Sequence, residues 1–424
     1  MITPEYLNEV IEGTEQQVNR LNGKLLQDVA RHIVYVYQKG GDYYMPSTIA
    51  DMFKIAQSGY TIGEVQKIIE DALPDLQKEI HKAFLESADM IDKYNVQYAK
   101  LLVEAEGMDI VIPETTRTGL PASAKDLNMT SAEIRKLEAA YRRTNGTVKN
   151  ICKSTALNVH KTYLQCCDDA WFKVQSGMSP GKAIMQAVDD AIKQGVTVVS
   201  YPSGHVDNID VAIARAVRTG INQANSEIIL TRCAEMGIKY VKTSKHLGAR
   251  VTKFDDYTNH SWWQGRVFSL DWKADILQKN IASVPLQDKE FGYLQAIKKE
   301  LQRKGNYNYP DFVESTGYGT IEGLAGINCR HTFQMWVPNI NVDNTKEIDD
   351  RKNEKRFHLE QTQRRMERQM RELRREIQAD KEIPLDEEGK ELLRQKKKRL
   401  KNLGEKYMDF CKSNRLPYHS DRIR

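Results

Sequence analysis

The strongest constraint on the fold is a helical apolar period that runs through most of the chain and gives way in one region. Leu21, Leu25, Val29, Ile33 and Val36 recur at three- and four-residue spacing. That spacing puts them on one face of a helix and leaves the other face polar. Leu7, Val10 and Ile11 begin the same pattern, and Gly40, Gly41 and Pro46 interrupt it. A helix is expected from Thr48 to Ser58, and Thr61 with Glu64 has capping-box spacing at the next helix start. Pro74 is expected to separate that helix from a further one reaching about Glu106. After a Pro-, Gly- and Thr-containing stretch, Ser131 to Gly177 reads as one or two helices. Ser179 is expected to cap the next, with Pro180 in its first turn.

The period changes at Gly195. Val196 to Tyr201 is β-branched and apolar and is closed by Pro202, Ser203 and Gly204, so it reads as a strand. A long helix from Asp207 to Met236 ends at Gly237, a C-cap glycine. Ile238 to Thr243 alternates as a strand, and Val267 to Asp271 and Thr332 to Val337 are further candidates. Helix returns after Pro338, with a thin stripe of Phe357, Met366, Met370, Leu373 and Ile377. Pro384 interrupts it, and a second basic helix follows from about Glu387 to Cys411. The fold class expected is α+β and predominantly α-helical: a helical N-terminal region, a small central α+β core and long basic C-terminal helices. In chain order this gives an N-terminal helical domain at 1–106, a linker at 107–126, a helical segment at 127–195, the α+β core at 196–340 and a basic helical tail at 341–424.

Charge separates the tail from the rest. The chain of 424 residues carries a formal +5, while the stretch from Thr345 onward holds 24 Lys and Arg against 17 Asp and Glu. The body before it is therefore close to neutral. Arg364, Arg365, Arg368, Arg371, Arg374 and Arg375, then Lys396, Lys397, Lys398 and Arg399, are dense enough to meet phosphates and are the DNA-contact candidates. The interleaved Glu367, Glu372 and Glu376 fit an exposed or coiled helix equally well. The N-terminus lacks the basic and apolar regions of a signal peptide, and no run approaches the ~20 apolar residues of a membrane span, so no membrane partner is expected. Six cysteines, without metal or disulfide spacing, read as reduced thiols in a protein made in the cytosol.

Most motif-like stretches fail on spacing. Gly177 to Ala183 misses a phosphate loop by one spacer and by the hydroxyl that would hold magnesium, and it follows a helix instead of a strand. Gly317 to Gly323 misses a dinucleotide fingerprint and reads as a flexible loop. Arg215, Arg218, Asn222 and Asn225 share a helix face, read as solvated, and Trp262 with Trp263 reads as a turn whose indoles anchor the core. An acid–base group of Asp255, Asp256, His260 and Arg250 has no spacing that assembles it, and loop polarity is the commoner explanation. His246, His260, Cys329 and His331 are the metal candidates. If Cys329 to His331 is a strand, its first and third side chains share a face. Without C-x-x-C knuckles, the favoured reading is a small buried cysteine beside histidines that bond to backbone. No catalytic residue, cofactor or bound metal is therefore assigned.

Two blocks are more specific. His246, Gly248, Ala249 and Arg250 are followed by Trp263, Gln264, Gly265, Arg266, Val267 and Phe268, and then by Gly323, Gly326, Ile327, Asn328, Cys329, Arg330, His331 and Phe333. This series resembles the phage minor capsid protein 2 family, itself similar to MuF-type head morphogenesis proteins. The opening Thr3 to Leu7, the central Arg215 to Thr219 and the basic Glu360 to Arg368 resemble it too. The resemblance makes His246, Arg250, Trp263, Gln264, Gly265, Asn328, Cys329, Arg330 and His331 signature positions of the core. It implies a head morphogenesis protein made in a bacterial cytoplasm and placed in the virion at the portal vertex or capsid interior. Its implied partners are the portal and major capsid proteins, with nonspecific genomic DNA contact through the tail. The chain departs from the pattern between Arg250 and Trp262, where the segment is polar and longer. Some MuF-type proteins carry a fused toxin, but no Glu-x-Glu pair follows Ser315 and Thr316, and the pair at Glu104 and Glu106 lies upstream. The alternative functions are a genome-ejected enzyme or toxin using the histidine–cysteine cluster, and a DNA-binding assembly scaffold.

Overall fold

The computed structural model describes the chain apart from residues 1–2, 4, 40, 114–118, 202–203, 255, 281–290, 344–346, 421–422 and 424. It is predominantly helical with a few short strands, the α+β class expected. The chain folds as two compact units, each built from three separate stretches. The first comprises Met1–Glu12, Lys78–Gly146 and Arg215–His358, and the second Gly13–Gln77, Thr147–Ala214 and Leu359–Arg424.

The first unit holds a three-stranded antiparallel sheet, in the order Val267–Ser269, Tyr240–Thr243, Phe333–Trp336. Val241 stands opposite Phe268 on one side and Met335 on the other. The central strand was expected to alternate between core and solvent, yet all four of its residues are buried. Lys242 explains this. Its ammonium pairs with Asp343 and lies 4.9 Å from the Trp336 ring centre, so a charge is accommodated on a covered strand. The helix Ile209–Met236 ends at Gly237, whose φ of +70° disfavours side chains and where an added Cβ would come 2.9 Å from Lys298. Asn222 and Asn225 on that helix are buried, not solvated as expected. Asn225 accepts from and donates to the Ser87 hydroxyl, while Asn222 serves the site described below.

The same unit contains a fully buried ion pair. Arg232 gives Glu133 a two-pronged interaction at 2.9 and 2.6 Å, and also donates to Tyr293 at 3.2 Å. Glu133 accepts in addition from the Thr130 backbone and from Asn95, closing a capping box at the start of Ser131–Gln175. Burial opposes the guanidinium charge, but the adjacent Glu133 outweighs it and keeps Arg232 protonated.

In the second unit the helix Glu12–Val36 buries the apolar stripe read from the sequence. The expected break at Pro74 does not occur, because Pro74 lies inside the continuous 44-residue helix Ile62–Ala105. A proline removes one ladder bond, and burial of Val65, Ile69 and Leu76 around it holds the helix together. The strand Val198–Ser200 has an antiparallel partner, Val206–Asn208, that the sequence did not announce. Pro202 and Ser203, expected to close the first strand, lie outside the described residues.

The stretch resembling a phosphate loop is a packing joint. Ser179 does not cap its own helix, Pro180–Gln194; its hydroxyl donates instead to Asp386 at 2.7 Å. A Cβ at Gly181 would come within 2.9 Å of both the Pro384 carbonyl and the Tyr43 hydroxyl. Lys182 is paired with Glu388.

The two tail helices, Asp350–Asp380 and Glu387–Ser413, are less free than a coiled exposed pair. Met370, Tyr407, Cys411, Leu416 and Ile423 form a common apolar cluster, and the Tyr407 hydroxyl donates to Glu367 at 2.8 Å. Arg375 and Arg371 converge on Asp210 at 2.8 and 3.5 Å. Burial alone would raise that carboxyl, and the two guanidinium groups reverse it, holding it below its ordinary range. Lys396 is surrounded by Asp189, Asp380 and Glu376.

Candidate functional site

The two signature blocks meet at one end of the three-stranded sheet. The strand Tyr240–Thr243 runs out into Ser244, whose backbone N–H donates to the Thr332 carbonyl at 2.8 Å, while the Ser244 hydroxyl accepts from the Thr332 N–H. This doubles the strand pairing into the loops and brings His246 beside His331, with ring centres 4.2 Å apart. The short helix His260–Trp263 supplies the remaining rings. His260 lies edge-on to His331 at 5.3 Å, and Trp263 approaches His331 at 4.7 Å.

Cys329 and His331 are brought together without the strand supposed for them. The segment is irregular, and the strand begins only at Phe333. Asn222 does the work of a ladder: its amide donates to the carbonyls of Cys329 at 3.3 Å and His331 at 3.1 Å. Cys329 Sγ and His331 Nδ1 are then 3.9 Å apart. Metal-capable atoms of His260, Cys329 and His331 all lie within 4.8 Å of one another, and all three residues are buried.

Hydrogen bonds fix the rings. Gln264 Oε1 accepts from the His246 backbone N–H at 3.0 Å, which identifies it as the amide oxygen, and His331 Nε2 approaches the same atom at 3.3 Å. His260 Nε2 is 2.8 Å from the Glu322 carbonyl oxygen. An amide or carbonyl oxygen only accepts, so both rings carry their hydrogen on Nε2 and keep the lone pair on Nδ1. His246 Nδ1 is buried with no hydrogen-bond partner among the described residues.

Electrostatics keep the group neutral. Burial, with Arg330 and His260 adding to it, pushes His246 down to about 3. Burial pushes His260 down to about 4 and His331 well below the ordinary imidazole range, and it pushes the Cys329 thiol up to about 11. The protonated thiol is a poor nucleophile and must lose its proton before it can ligate a metal, whereas the neutral imidazoles can ligate as they stand.

The other signature residues hold the frame. Arg250 reaches the carbonyls of Glu322 at 3.4 Å and Ile327 at 3.3 Å. Gly265 has φ +73°, and a Cβ there would strike Lys245 at 2.8 Å. Asn328 turns the chain with φ +60°, and Arg330 is half-buried next to Cys329. The glycine-rich stretch before them is closely packed and not the open loop its composition predicts. A Cβ on Gly323 would lie 2.1 Å from the Gly317 carbonyl oxygen, and one on Gly326 would lie 2.3 Å from that of Ile321.

The acid–base group is not assembled as such. Asp256 accepts from the Thr258 N–H at 2.8 Å and its hydroxyl at 2.6 Å, a local turn, and Asp255 lies outside the described residues. Of the two tryptophans only Trp263 anchors the core: it is fully buried and donates to the Tyr257 carbonyl at 2.9 Å. Trp262 is 38% exposed, its ring 5.6 Å from the Arg266 guanidinium. Two residues central to the frame are not marked as such by the sequence, where Asn222 reads as part of a solvated stripe. Besides Asn222, there is Asn353, whose Oδ1 accepts from the backbone of Gly248 and Ala249 at 2.9 and 3.1 Å.

The family described as phage minor capsid protein 2 matches this chain over residues 2–412. The chain belongs to the phage minor capsid protein 2 family. Among curated proteins it is similar to a structural protein of Lactococcus phage LL-H, 23% identical over 224 residues, covering 52% of this chain and 50% of that one. A structural protein of Lactococcus phage mv4 is 35% identical over 66 residues, 16% of this chain and 53% of that one. The chain thus spans about half the length of the curated relatives it matches. No solved structure matches it. The chain is therefore a phage structural protein, and residues 246–268 and 323–333 belong to its first unit. Among its described residues no helix is long and apolar enough to cross a membrane.

Proposed function

We propose that this minor capsid protein is built into the phage head during assembly in the bacterial cytoplasm. There it is held by the portal and major capsid proteins at the portal vertex or capsid interior, and the exposed cations of its tail rest against packaged DNA. The observation that carries the DNA part is the sorting of the basic residues. Arg371, Arg375 and Lys396 are spent on internal acids, whereas Arg365, Arg368, Lys397, Lys398 and Arg399 are exposed. Arg364 lies 4.0 Å from Glu360, a weak surface pair, and Arg374 is half-buried. Flexible surface cations suit a polymer read by its phosphates alone, since each contact releases counterions without needing fixed geometry.

The test is the salt dependence of DNA binding by the full chain. Each phosphate contact contributes about 0.9 to the slope of log affinity against log salt. Replacing Arg365, Arg368, Lys397, Lys398 and Arg399 together by glutamine is expected to cut the slope by about 2 to 4 and to leave folding intact. Arg375→Gln is expected to reduce thermal stability with the slope unchanged. Absence of binding at low salt, or a slope indifferent to the five replacements, contradicts DNA contact through the tail.

A further inference from the structure

We propose that Cys329, His331 and His260, with the His246 ring packed against His331, form a structural zinc site that ties residues 260–264 to residues 329–331. Three independent features support it.

The first is convergence. The donor atoms of Cys329, His331 and His260 come within 4.8 Å of one another in a buried setting, although they derive from two separate stretches of chain. A tetrahedral zinc with bonds of about 2.0–2.3 Å spaces its ligand atoms about 3.5 Å apart. The observed Sγ to Nδ1 distance of 3.9 Å is already close to that, and the widest separation needs roughly an ångström of closure. Side-chain torsions provide that movement.

The second is ring orientation. A zinc-binding histidine usually donates its remote N–H to a carbonyl or carboxylate, which aims the other nitrogen at the metal. His260 does so to the Glu322 carbonyl and His331 to Gln264 Oε1, leaving Nδ1 as the ligand atom in both. The outer supports are built as well: Asn222 fixes the backbone of Cys329 and His331, and Gln264 ties His331 to the backbone of His246.

The third is the orphaned donor. His246 Nδ1 is buried without a hydrogen-bond partner among the described residues, and its ring lies against that of His331. Such an atom costs free energy unless something occupies it. His246 lies outside the group of converging donors, and a rotation of its ring off His331 would bring Nδ1 to the metal as a fourth ligand and remove that cost.

The donor set selects the ion. One sulfur and imidazole nitrogens, with no carboxylate in the group, suit zinc and exclude magnesium or calcium as a match. All three converging ligands are buried, which keeps bulk solvent from the ion and makes the site structural. On loading, the Cys329 thiol loses its proton to solvent as the S–Zn bond forms, so one proton is released per zinc.

Metal analysis of the full chain produced with zinc supplied is expected to give about one zinc per molecule. Cys329→Ser and His331→Gln are each expected to lower the zinc content at least tenfold. Cys233→Ser, a buried cysteine outside the group, is expected to leave it unchanged. Should the site variants fail to fold, the wild-type chain stripped by a chelator and titrated with cobalt(II) decides the matter. A thiolate-to-cobalt charge-transfer band with tetrahedral d–d absorption supports the site. Less than about a tenth of a zinc per chain together with no cobalt–thiolate band overturns it, as does zinc retained in folded Cys329→Ser and His331→Gln proteins.

Discussion

Arg232→Ala is expected to be among the most damaging single replacements in the chain, lowering stability by about 3–5 kcal/mol. Arg232 and Glu133 are both fully buried, and the guanidinium meets the carboxylate through two bonds. Removing the arginine leaves the buried Glu133 carboxyl group without its counter-ion, with Asn95 and the Thr130 N–H as the partners of its side chain among the described residues. It also deprives the Tyr293 hydroxyl of its donor and the Phe291 ring of a cation 5.6 Å away. The loss should exceed that of a typical surface charge, which is about 0–1 kcal/mol. Arg232→Lys should rescue only part, because a point charge cannot reproduce the two-pronged contact. Joint replacement Arg232→Met with Glu133→Gln should recover part of it, since Glu133 is no longer stranded while Glu235, 3.7 Å from Arg232, still loses its counter-ion. The measurement is chemical denaturation followed by near-ultraviolet circular dichroism. A loss under about 1 kcal/mol for Arg232→Ala would mean that the pair is not buried as described.

The second large effect is expected at Trp263. Trp263→Ala should cost about 3–5 kcal/mol, the usual range for an excavated core aromatic. The indole is completely covered, holds the Tyr257 carbonyl and packs 4.7 Å from His331, so its removal also unseats the histidine group. Trp262→Ala, one residue away, should cost no more than about 1 kcal/mol, because that ring is partly in solvent and offers chiefly a stacking surface to Arg266. The pair is a control for local composition: the residue type and neighbourhood are the same, and only burial differs. Equal losses at both positions would contradict the assignment of Trp263 alone as the anchor.

The adjacent tryptophans show where sequence reasoning stops. Their crowding with glycine and glutamine marks the segment, but a short helix turns successive side chains by about 100°, so one indole goes inward and the other does not. Elements defined by local period were legible. The long stripe from Leu21 to Val36, the strands at Tyr240–Thr243, Val267–Ser269 and Phe333–Trp336, and the stop at Gly237 all follow from neighbouring residues. Features made by partners remote in sequence were not. Arg371 and Arg375 sit in text full of local glutamates, yet their acid is Asp210. Asn222 and Asn225 look like a wet stripe because nothing on their own helix shows that Cys329, His331 and Ser87 lie opposite.

The same limit shaped the histidine–cysteine group. Residue type alone marked His246, His260, Cys329 and His331, and the signature positions around them come from the family resemblance. Their convergence depends on Gln264, Asn222 and the Glu322 carbonyl, none of which is adjacent to the ring it orients. Each compact unit is likewise drawn from three distant stretches, which no periodicity within one stretch can disclose.

We propose that this phage structural protein works inside the head, beside the portal and against the DNA. The direct measurement is a reconstruction of the assembled particle at the portal vertex without imposed symmetry. Density for the chain is expected on the inner side of that vertex, in contact with portal or capsid protein, with Lys397, Lys398 and Arg399 facing the packaged genome. Mature heads with an intact portal vertex and no such density, or a chain found on the outer surface with those residues turned from the DNA, would contradict it.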